Sequence, residues 1–281
     1  MTALNDSAWV AEQYQTHHNL HARVQLHRRF GTNPESWFAW VFDRLQLGPH
    51  SRALELGCGS GLLWDANRAR LPSGSRLTLT DLSPGMVAQT AATLRGQPAI
   101  SFGVIDAQTL PFAADSFDVV VANHMLYHVP DRRLTYAEVL RVLKPGGRFF
   151  AATNDTGHLQ EIRELARAYR PELEPFFVTA NQRYTFDTAF TELSPRFAQV
   201  QLHRFANRLD VTDADALADY MLSGFSFGLQ QQNTPVDEAA ALLGERATDH
   251  FRRWLAEQTA ARGGHIEINS ATGLFEATKG Q

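Results

Sequence analysis

Between Arg52 and Thr153, short runs rich in aliphatic and β-branched residues alternate with stretches whose apolar positions recur at helical spacing. That rhythm predicts a parallel sheet covered by helices on both faces. Five strands are expected, at Ala53 to Leu56, Arg76 to Thr80, Ile100 to Ile105, Phe117 to Ala122 and Arg148 to Thr153, each short and bounded by turn residues. Ser83-Pro84 reads as an N-cap followed by proline at the first helical position, where a missing N–H costs nothing. Asn33-Pro34 and Thr234-Pro235 repeat that signal. After Asn33, Trp37, Phe38, Val41, Phe42 and Leu45 fall at helical spacing and predict an amphipathic helix packed just before the first strand. Another helix is expected to end at Leu143, stopped by Lys144-Pro145-Gly146-Gly147.

Beyond Thr153 the alternation lapses. Two helices are expected, His158 to Tyr169 and Asp213 to Ser223, on either side of a segment rich in phenylalanine, and together they read as an insertion or lid. A last helix, about Pro235 to Arg262, should end at Gly263-Gly264. A hairpin-like pair follows, His265 to Asn269 and Leu274 to Thr278, with Gly273 in the turn. The chain therefore divides into an N-terminal helical cap (1–50), the alternating core (51–153), a helical insertion that also holds a sixth strand (154–262) and a C-terminal strand hairpin closing the sheet (263–281). There is no internal repeat and no low-complexity tract.

Composition narrows the partners. A chain of 281 residues, 44% of them hydrophobic, can bury one sizeable core and still carry a lid. A formal charge of -4 and a pI near 6.3 supply no general attraction to phosphate backbones or anionic membranes, which disfavours nucleic acid and membrane surfaces as partners. The single cysteine, Cys58, makes an internal disulfide impossible and fits a reducing compartment. The opening MTALNDSAWV has no basic start followed by an apolar run, and no later stretch reaches the ~20 apolar residues that cross a bilayer. A soluble, unexported, cytoplasmic protein is expected.

The chemistry concentrates at the ends of the first strands. ALELGCGSGLLW places Gly57, Gly59 and Gly61 directly between a strand and a helix, where backbone must come close to a ligand. A dinucleotide fingerprint needs glycine at the sixth place, and counting from Gly57 that place is Leu62, which argues against a nicotinamide cofactor. Asp81 closes the second strand in LTLTDLSPGM, where a carboxylate can accept both hydroxyls of a ribose, a feature common to adenosine-bearing ligands. The third strand ends in Asp106-Ala107, and a carboxylate there can accept from an adenine amino group, although an ordinary turn aspartate fits equally well. Three successive strands thus offer glycine, carboxylate and carboxylate at the edge where open α/β sheets bind ligands.

Four segments, ELGCGSG, TDLSPGM, GVIDAQTLPFAADSFDVVVANHMLYHVPD and RVLKPGGRF, resemble in order and spacing the successive motifs of class I S-adenosylmethionine-dependent methyltransferases. The resemblance covers about residues 50–153. It implies an α/β fold, a Rossmann-like three-layer αβα sandwich with a mostly parallel seven-stranded sheet whose last strand is antiparallel, with N-terminal helices and a helical insertion added. It implies S-adenosyl-L-methionine as cofactor, with Glu55, Gly57 and Gly59 framing its methionine end, Asp81 on the ribose, Leu82 and Met86 on one face of the adenine, Asp106 and Ala107 at its edge, and Asn123 beside the sulfonium. The methyl group would pass to a small-molecule acceptor, on oxygen or nitrogen, by direct in-line displacement, which needs alignment and desolvation more than a metal or a covalent intermediate. Residues 1–50 and 154–262 lie outside the shared core and would select the acceptor.

If a base is used, NHMLYHVPD holds the candidates, His124 and His128, since a histidine poised near neutral pH can take a proton from a phenol or amine. Packing or capping of the next helix explains both histidines as well, and Tyr127 reads as core. In YQTHHNLHARVQLHRRF, His17 and His21 lie one helical turn apart, yet no carboxylate or cysteine completes a ligand set, so no metal is expected. That segment reads as a helix covering the cofactor, with Tyr14 near the methyl donor and Arg23 meeting its carboxylate, or else as a solvated helix. Cys58 reads as a small side chain tucked beneath the glycine turn rather than a nucleophile. Gly224-Phe225-Ser226-Phe227-Gly228, with Tyr184, Phe186 and Phe190, would line an apolar substrate cleft or belong to a core. Three other functions stay open: methylation of protein or RNA, opposed by the acidic balance; non-catalytic binding of S-adenosylmethionine or S-adenosylhomocysteine; and nicotinamide-dependent oxidoreduction, opposed by Leu62.

Overall fold

A computed structural model describes residues 25–97, 99–177, 183–231 and 245–281, so the expectations placed on Tyr14, His17, His21, Arg23 and Thr234-Pro235 lie outside it, as do the side chains of Phe225 and Phe227. In chain order the elements are α1 (25–30), α2 (Trp37–Leu45), β1 (Arg52–Leu56), α3 (Leu62–Ala66), β2 (Arg76–Asp81), α4 (Pro84–Thr93), β3 (Ile100–Val104), β4 (Phe117–Asn123), α5 (Arg132–Val142) and β5 (Leu143–Asn154). There follow α6 (Gln160–Tyr169), α7 (Phe186–Leu193), β6 (Gln199–Phe205), β7 (Arg208–Val211), α8 (Ala214–Gln231), α9 (Glu245–Ala261), β8 (Ile266–Asn269) and β9 (Thr272–Thr278). Seven strands form one sheet in the order β3-β2-β1-β4-β5-β9-β6. The pairs among β1 to β5 are parallel, and β9 runs antiparallel between β5 and β6.

Strand alternation builds a core on each side of this sheet. Leu54, Leu56, Val120, Ala122, Phe149 and Ala151 enter one core with Tyr136 and Val139 of α5 and Ala189 and Leu193 of α7. Their sequence neighbours Ala53, Val119, Val121, Phe150 and Ala152 enter the other with Val41 and Leu45 of α2 and Leu63 and Trp64 of α3. Burial on both faces is why these strands read as nearly unbroken apolar runs. The result is the three-layer, Rossmann-like sandwich with its last strand antiparallel.

Local chemistry fixes the helix starts. The Ser83 side chain accepts from the Met86 N–H with Pro84 at the first helical position, as expected. The helix after Asn33 is capped instead by Ser36, whose Oγ accepts from the Ala39 N–H, while Asn33 Oδ1 closes a small turn on the Glu35 N–H. Lys144-Pro145-Gly146-Gly147 does not form a separate loop: α5 ends at Val142 and β5 begins at Leu143, with a register irregularity between Phe117 and Val119 on β4. A Cβ at Gly147 would lie 2.8 Å from the Lys144 carbonyl oxygen, so only glycine lets the strand turn this closely.

The C-terminal hairpin does not form. β8 pairs with β7 in a separate two-stranded sheet, while β9 enters the main sheet. Gly273 is therefore a strand residue opposite Thr153 and Arg204, and a Cβ there would come within 2.8 Å of the His203 carbonyl oxygen. The β7–β8 ribbon joins α1, α6, α8 and α9 around a third apolar cluster, including Leu26, Phe30, Leu165, Leu217, Leu255 and Ile268. The phenylalanine-rich segment contributes α7, which the sequence pattern missed. A buried chain pins α7 to α5: the Tyr136 hydroxyl lies 3.0 Å from that of Tyr184 and donates to Glu192 Oε2 at 2.8 Å, and Arg132 grips Glu192 with two nitrogens. Among the described residues no helix is long and apolar enough to cross a membrane.

Candidate active site

The order of the strands reverses between β1 and β4, and the turn leaving β1 sits at that switch point. Gly57, Gly59 and Gly61 all have positive φ, 64°, 54° and 77°, a backbone region that glycine enters without penalty. Their surroundings differ. A Cβ at Gly57 would lie 2.7 Å from Met125 Cβ and one at Gly61 2.8 Å from Thr90 Cγ2, whereas one at Gly59 would meet nothing within 4 Å. Two glycines thus close the turn against the protein, and the middle one faces open space.

Asp81, at the end of β2, accepts from the Gly59 N–H through Oδ2 and from the Ser83 N–H through Oδ1, both at 2.9 Å. Burial raises its pKa, and the N–H groups of Ser83, Gly59 and Leu82 oppose that rise. The carboxylate therefore ties the glycine turn to the next loop and keeps unused lone pairs. Asp106 accepts from the Gln108 N–H at 2.9 Å, and the Gln108 amide approaches both its oxygens. Ala107 and Met86 are buried, Met86 with only 1% exposure, while Leu82 is half-buried. Met86 thus has almost no free surface to offer a ligand. Glu55 lies beneath the turn, 2% exposed, with Oε2 accepting from Trp64 Nε1 at 2.6 Å; burial pushes its pKa up to about 8.

Asn123, the last residue of β4, accepts through Oδ1 from Trp37 Nε1 at 3.2 Å, which draws α2 to the same edge. His124 follows with φ 56°, its ring centroid 5.2 Å from that of Trp37 and its Nε2 3.2 Å from Thr272 Oγ1. Burial, aided by the charge His27 would carry, lowers the His124 pKa to about 4. The expectation of a histidine poised near neutrality fails for His124, because its setting strips water from the charged form and supplies no carboxylate in return. His128 lies on the turn Leu126–His128, its ring 4.5 Å edge-on to Tyr127. Cys58 is buried with Sγ 3.7 Å from Thr90 Oγ1, and burial pushes its thiol pKa up, which suits packing and not nucleophilic attack.

Of the aromatic residues that suited either a cleft or a core, three fall within the described side chains. Tyr184 and Phe186 are core residues, and Phe190 is 54% exposed. Two histidines that the sequence did not single out stand together. His27 on α1 and His158 ahead of α6 stack with ring centroids 6.1 Å apart and planes 2° from parallel. His158 follows the end of β5, so the strand-end rule that nominated His124 could have found it; nothing in the sequence points to His27. Among the described residues no cluster of histidine, cysteine or acidic side chains is arranged to hold a metal.

These features define a Rossmann-like fold with a glycine turn and two carboxylates at the same edge of its sheet. Residues 54–151, about a third of the chain, match a family model described as a methyltransferase domain. The chain is 34% identical over 127 residues to demethylmenaquinone methyltransferase of Clavibacter sepedonicus, covering 45% of this chain and 51% of that protein. It is 36% identical over 111 residues to malonyl-[acyl-carrier protein] O-methyltransferase of Hahella chejuensis, covering 40% and 39%. The chain thus spans about half or less of the length of these relatives. Among solved structures it resembles phosphoethanolamine N-methyltransferase 2 of Haemonchus contortus bound to S-adenosyl-L-methionine, with a TM-score of 0.58, 16% identity, and coverage of 100% of this chain and 61% of that one.

Proposed function

We propose that this chain transfers a methyl group from S-adenosyl-L-methionine to a small-molecule acceptor, on oxygen or nitrogen, by direct in-line displacement. The observation that carries this reading is the open space above Gly59, flanked by the Asp81 carboxylate and bordered by a turn that is otherwise closed. The residue set fits: close-approach backbone at Gly59 for the methionine end, spare Asp81 lone pairs for ribose hydroxyls, Asp106 and the Ala107 backbone for the adenine edge, and half-buried Leu82 for its face. When bound, the cofactor supplies a methyl group on a cationic sulfur, which a lone pair displaces while the carbon–sulfur pair returns to sulfur. The protein's part is to hold Asn123, Trp37 and the β4 edge beside the reacting centre and to keep water out.

Tyr14 and Arg23 complete the proposal from outside the described residues, Tyr14 packing near the methyl donor and Arg23 pairing with its carboxylate. A small acceptor is favoured over protein or RNA by the charge of -4, and it accords with a relative named for demethylmenaquinone. A cytoplasmic setting belongs to the same proposal, resting on the single unpaired thiol. Equilibrium titration with S-adenosylmethionine, S-adenosylhomocysteine and NADH tests the cofactor, and a labelled-methyl screen against small phenols, amines, thiols and acids tests the transfer. Binding of both sulfur compounds and labelling of a small acceptor are expected. Tight NADH binding with no response to the sulfur compounds overturns the reading, and sulfur-compound binding without labelling of any acceptor class favours a non-catalytic binder.

A further inference from the structure

We propose that His27, His124 and His158 form the hydrogen-bonding end of the acceptor pocket and that, as neutral imidazoles, they receive the hydroxyl of an apolar phenol or enol whose oxygen is methylated. This inference rests on the methyl-transfer reading above and adds the acceptor class to it.

The three imidazoles come from three separate elements, α1, the turn after β4 and the segment after β5: His27 and His158 stack, and His124, which follows Asn123, lies close enough to both for their charges to interact. Each is surrounded by protein, yet each keeps part of its surface in contact with solvent, as groups lining a recess do. Burial lowers the pKa of His27 and His124 to about 4 and that of His158 well below its ordinary value, so all three are neutral at pH 7. They are also close enough that charge on His27 or His124 disfavours charge on His158. Among the described residues no carboxylate pairs with these imidazoles, which makes their surroundings a poor place for an ammonium.

Two further observations select a hydroxyl that becomes an oxyanion. Among the described residues His158 Nδ1 is enclosed without a hydrogen-bond partner, a cost that a donor on a ligand would remove. In the tautomer with its proton on Nε2, that nitrogen is an acceptor suited to an O–H donor. The positive charge of Arg163 already weighs against protonated His158 and would favour an anionic oxygen beside it. The neighbouring wall is aromatic: Trp37 lies 5.3 Å from Trp40 and 5.4 Å edge-on to Phe205. The proton balance is simple. The oxygen lone pair would form the new bond to carbon while the carbon–sulfur pair returns to sulfur, the O–H pair stays on oxygen, and the proton leaves to solvent past a His158 that accepts its hydrogen bond and stays neutral.

The probe is 2-naphthol, an apolar phenol whose fluorescence separates its neutral and ionised forms. It is titrated into the full-length protein preloaded with S-adenosylhomocysteine, with the histidine side-chain nitrogens followed by 15N NMR. Binding that shifts the resonances of His27, His124 and His158, and that weakens about tenfold or more in His158→Gln while S-adenosylhomocysteine affinity stays within about twofold, is the expected result. Naphthol that fails to bind, or binds without moving those three resonances, overturns the proposal while leaving the cofactor reading intact. Loss of S-adenosylhomocysteine binding by the wild-type protein strikes the methyl-transfer reading itself. If His158→Gln does not fold, His27→Gln and the wild-type resonances decide the matter.

Discussion

Gly59→Ala separates folding from binding in a way that no neighbouring substitution can. Alanine at φ 54° pays the left-handed penalty of about 1–2 kcal/mol, and nothing within 4 Å of its Cβ adds to that cost. At roughly 3 °C per kcal/mol for a chain of this size, the unliganded protein should lose a few degrees of melting temperature and remain folded. Gly57→Ala and Gly61→Ala pay the same penalty and also overlap Met125 and Thr90 at 2.7 and 2.8 Å, so they should lose more. The new methyl of Gly59→Ala enters the space assigned to the cofactor. A loss of about 1.4 kcal/mol of affinity is tenfold in Kd. With S-adenosylhomocysteine at 100 times the wild-type Kd, wild type gains about 2.7 kcal/mol of stability and such a variant only about 1.4, so the ligand-induced thermal shift halves. Calorimetric titration of both proteins, with melting curves in the presence and absence of ligand, reads both quantities. A folded Gly59→Ala protein with unchanged affinity would show that the ligand does not approach the turn there, and the site assignment would fall with it.

Three further outcomes follow from the buried groups. The unfolded chain binds protons to His27 and His124 below about pH 6.5, the folded one only near pH 4, so stability should fall as pH drops through that window, by at most about 3 kcal/mol per histidine; urea unfolding at pH 7.5 and 4.5 should show a larger loss for wild type than for a His27→Gln/His124→Gln/His158→Gln protein, and equal losses refute the claim. Glu55 has the opposite sense, since its pKa is raised from 4.5 to about 8: its contribution is full below pH 4.5 and is lost as pH rises through 8, so Glu55→Gln, which keeps an acceptor for Trp64, should flatten the stability profile between pH 6 and 9. Tyr136→Phe removes the hydroxyl that joins Tyr184 to Glu192 and should cost about 1–3 kcal/mol in a urea midpoint measurement, with an unchanged midpoint indicating that the α5–α7 pin contributes nothing.

The parallel core was legible because each of its strands is buried on two faces and bounded by turn residues, so that period and punctuation agree from Arg52 to Asn154. The C-terminal end was not, and the reason is geometric. Ile266–Asn269 and Thr272–Thr278 look like the arms of a hairpin, since only Ser270 and Ala271 separate them. What decides their pairing is distant: Arg208–Val211 captures the first, while the gap between β5 and β6 captures the second. Period-2 alternation identifies a strand and which face it buries; it carries no information about the neighbour. The helix Phe186–Leu193 was missed for a related reason, because its buried Phe186, Ala189 and Leu193 sit in a phenylalanine-rich run that also suits a cleft wall.

The same distinction separates the two halves of the candidate site. Gly57 and Gly59 follow β1, Asp81 ends β2 and Asp106 comes just after β3, so the rule that ligands gather at strand ends brings them together before any fold is known. His27 obeys no such rule. It stands against His158 because Leu26 and Phe30, also on α1, are buried in the third cluster with β7, β8 and the outer helices, and that cluster is assembled from parts of the chain far apart in sequence. The proposed cofactor contacts are thus set by the sheet, and the proposed acceptor end by how a second core docks on it. Substitutions in that second core, such as Leu26→Ala, should therefore disturb naphthol binding before they disturb S-adenosylhomocysteine binding, because they shift His27 and leave the β1 and β2 loops anchored in the sheet.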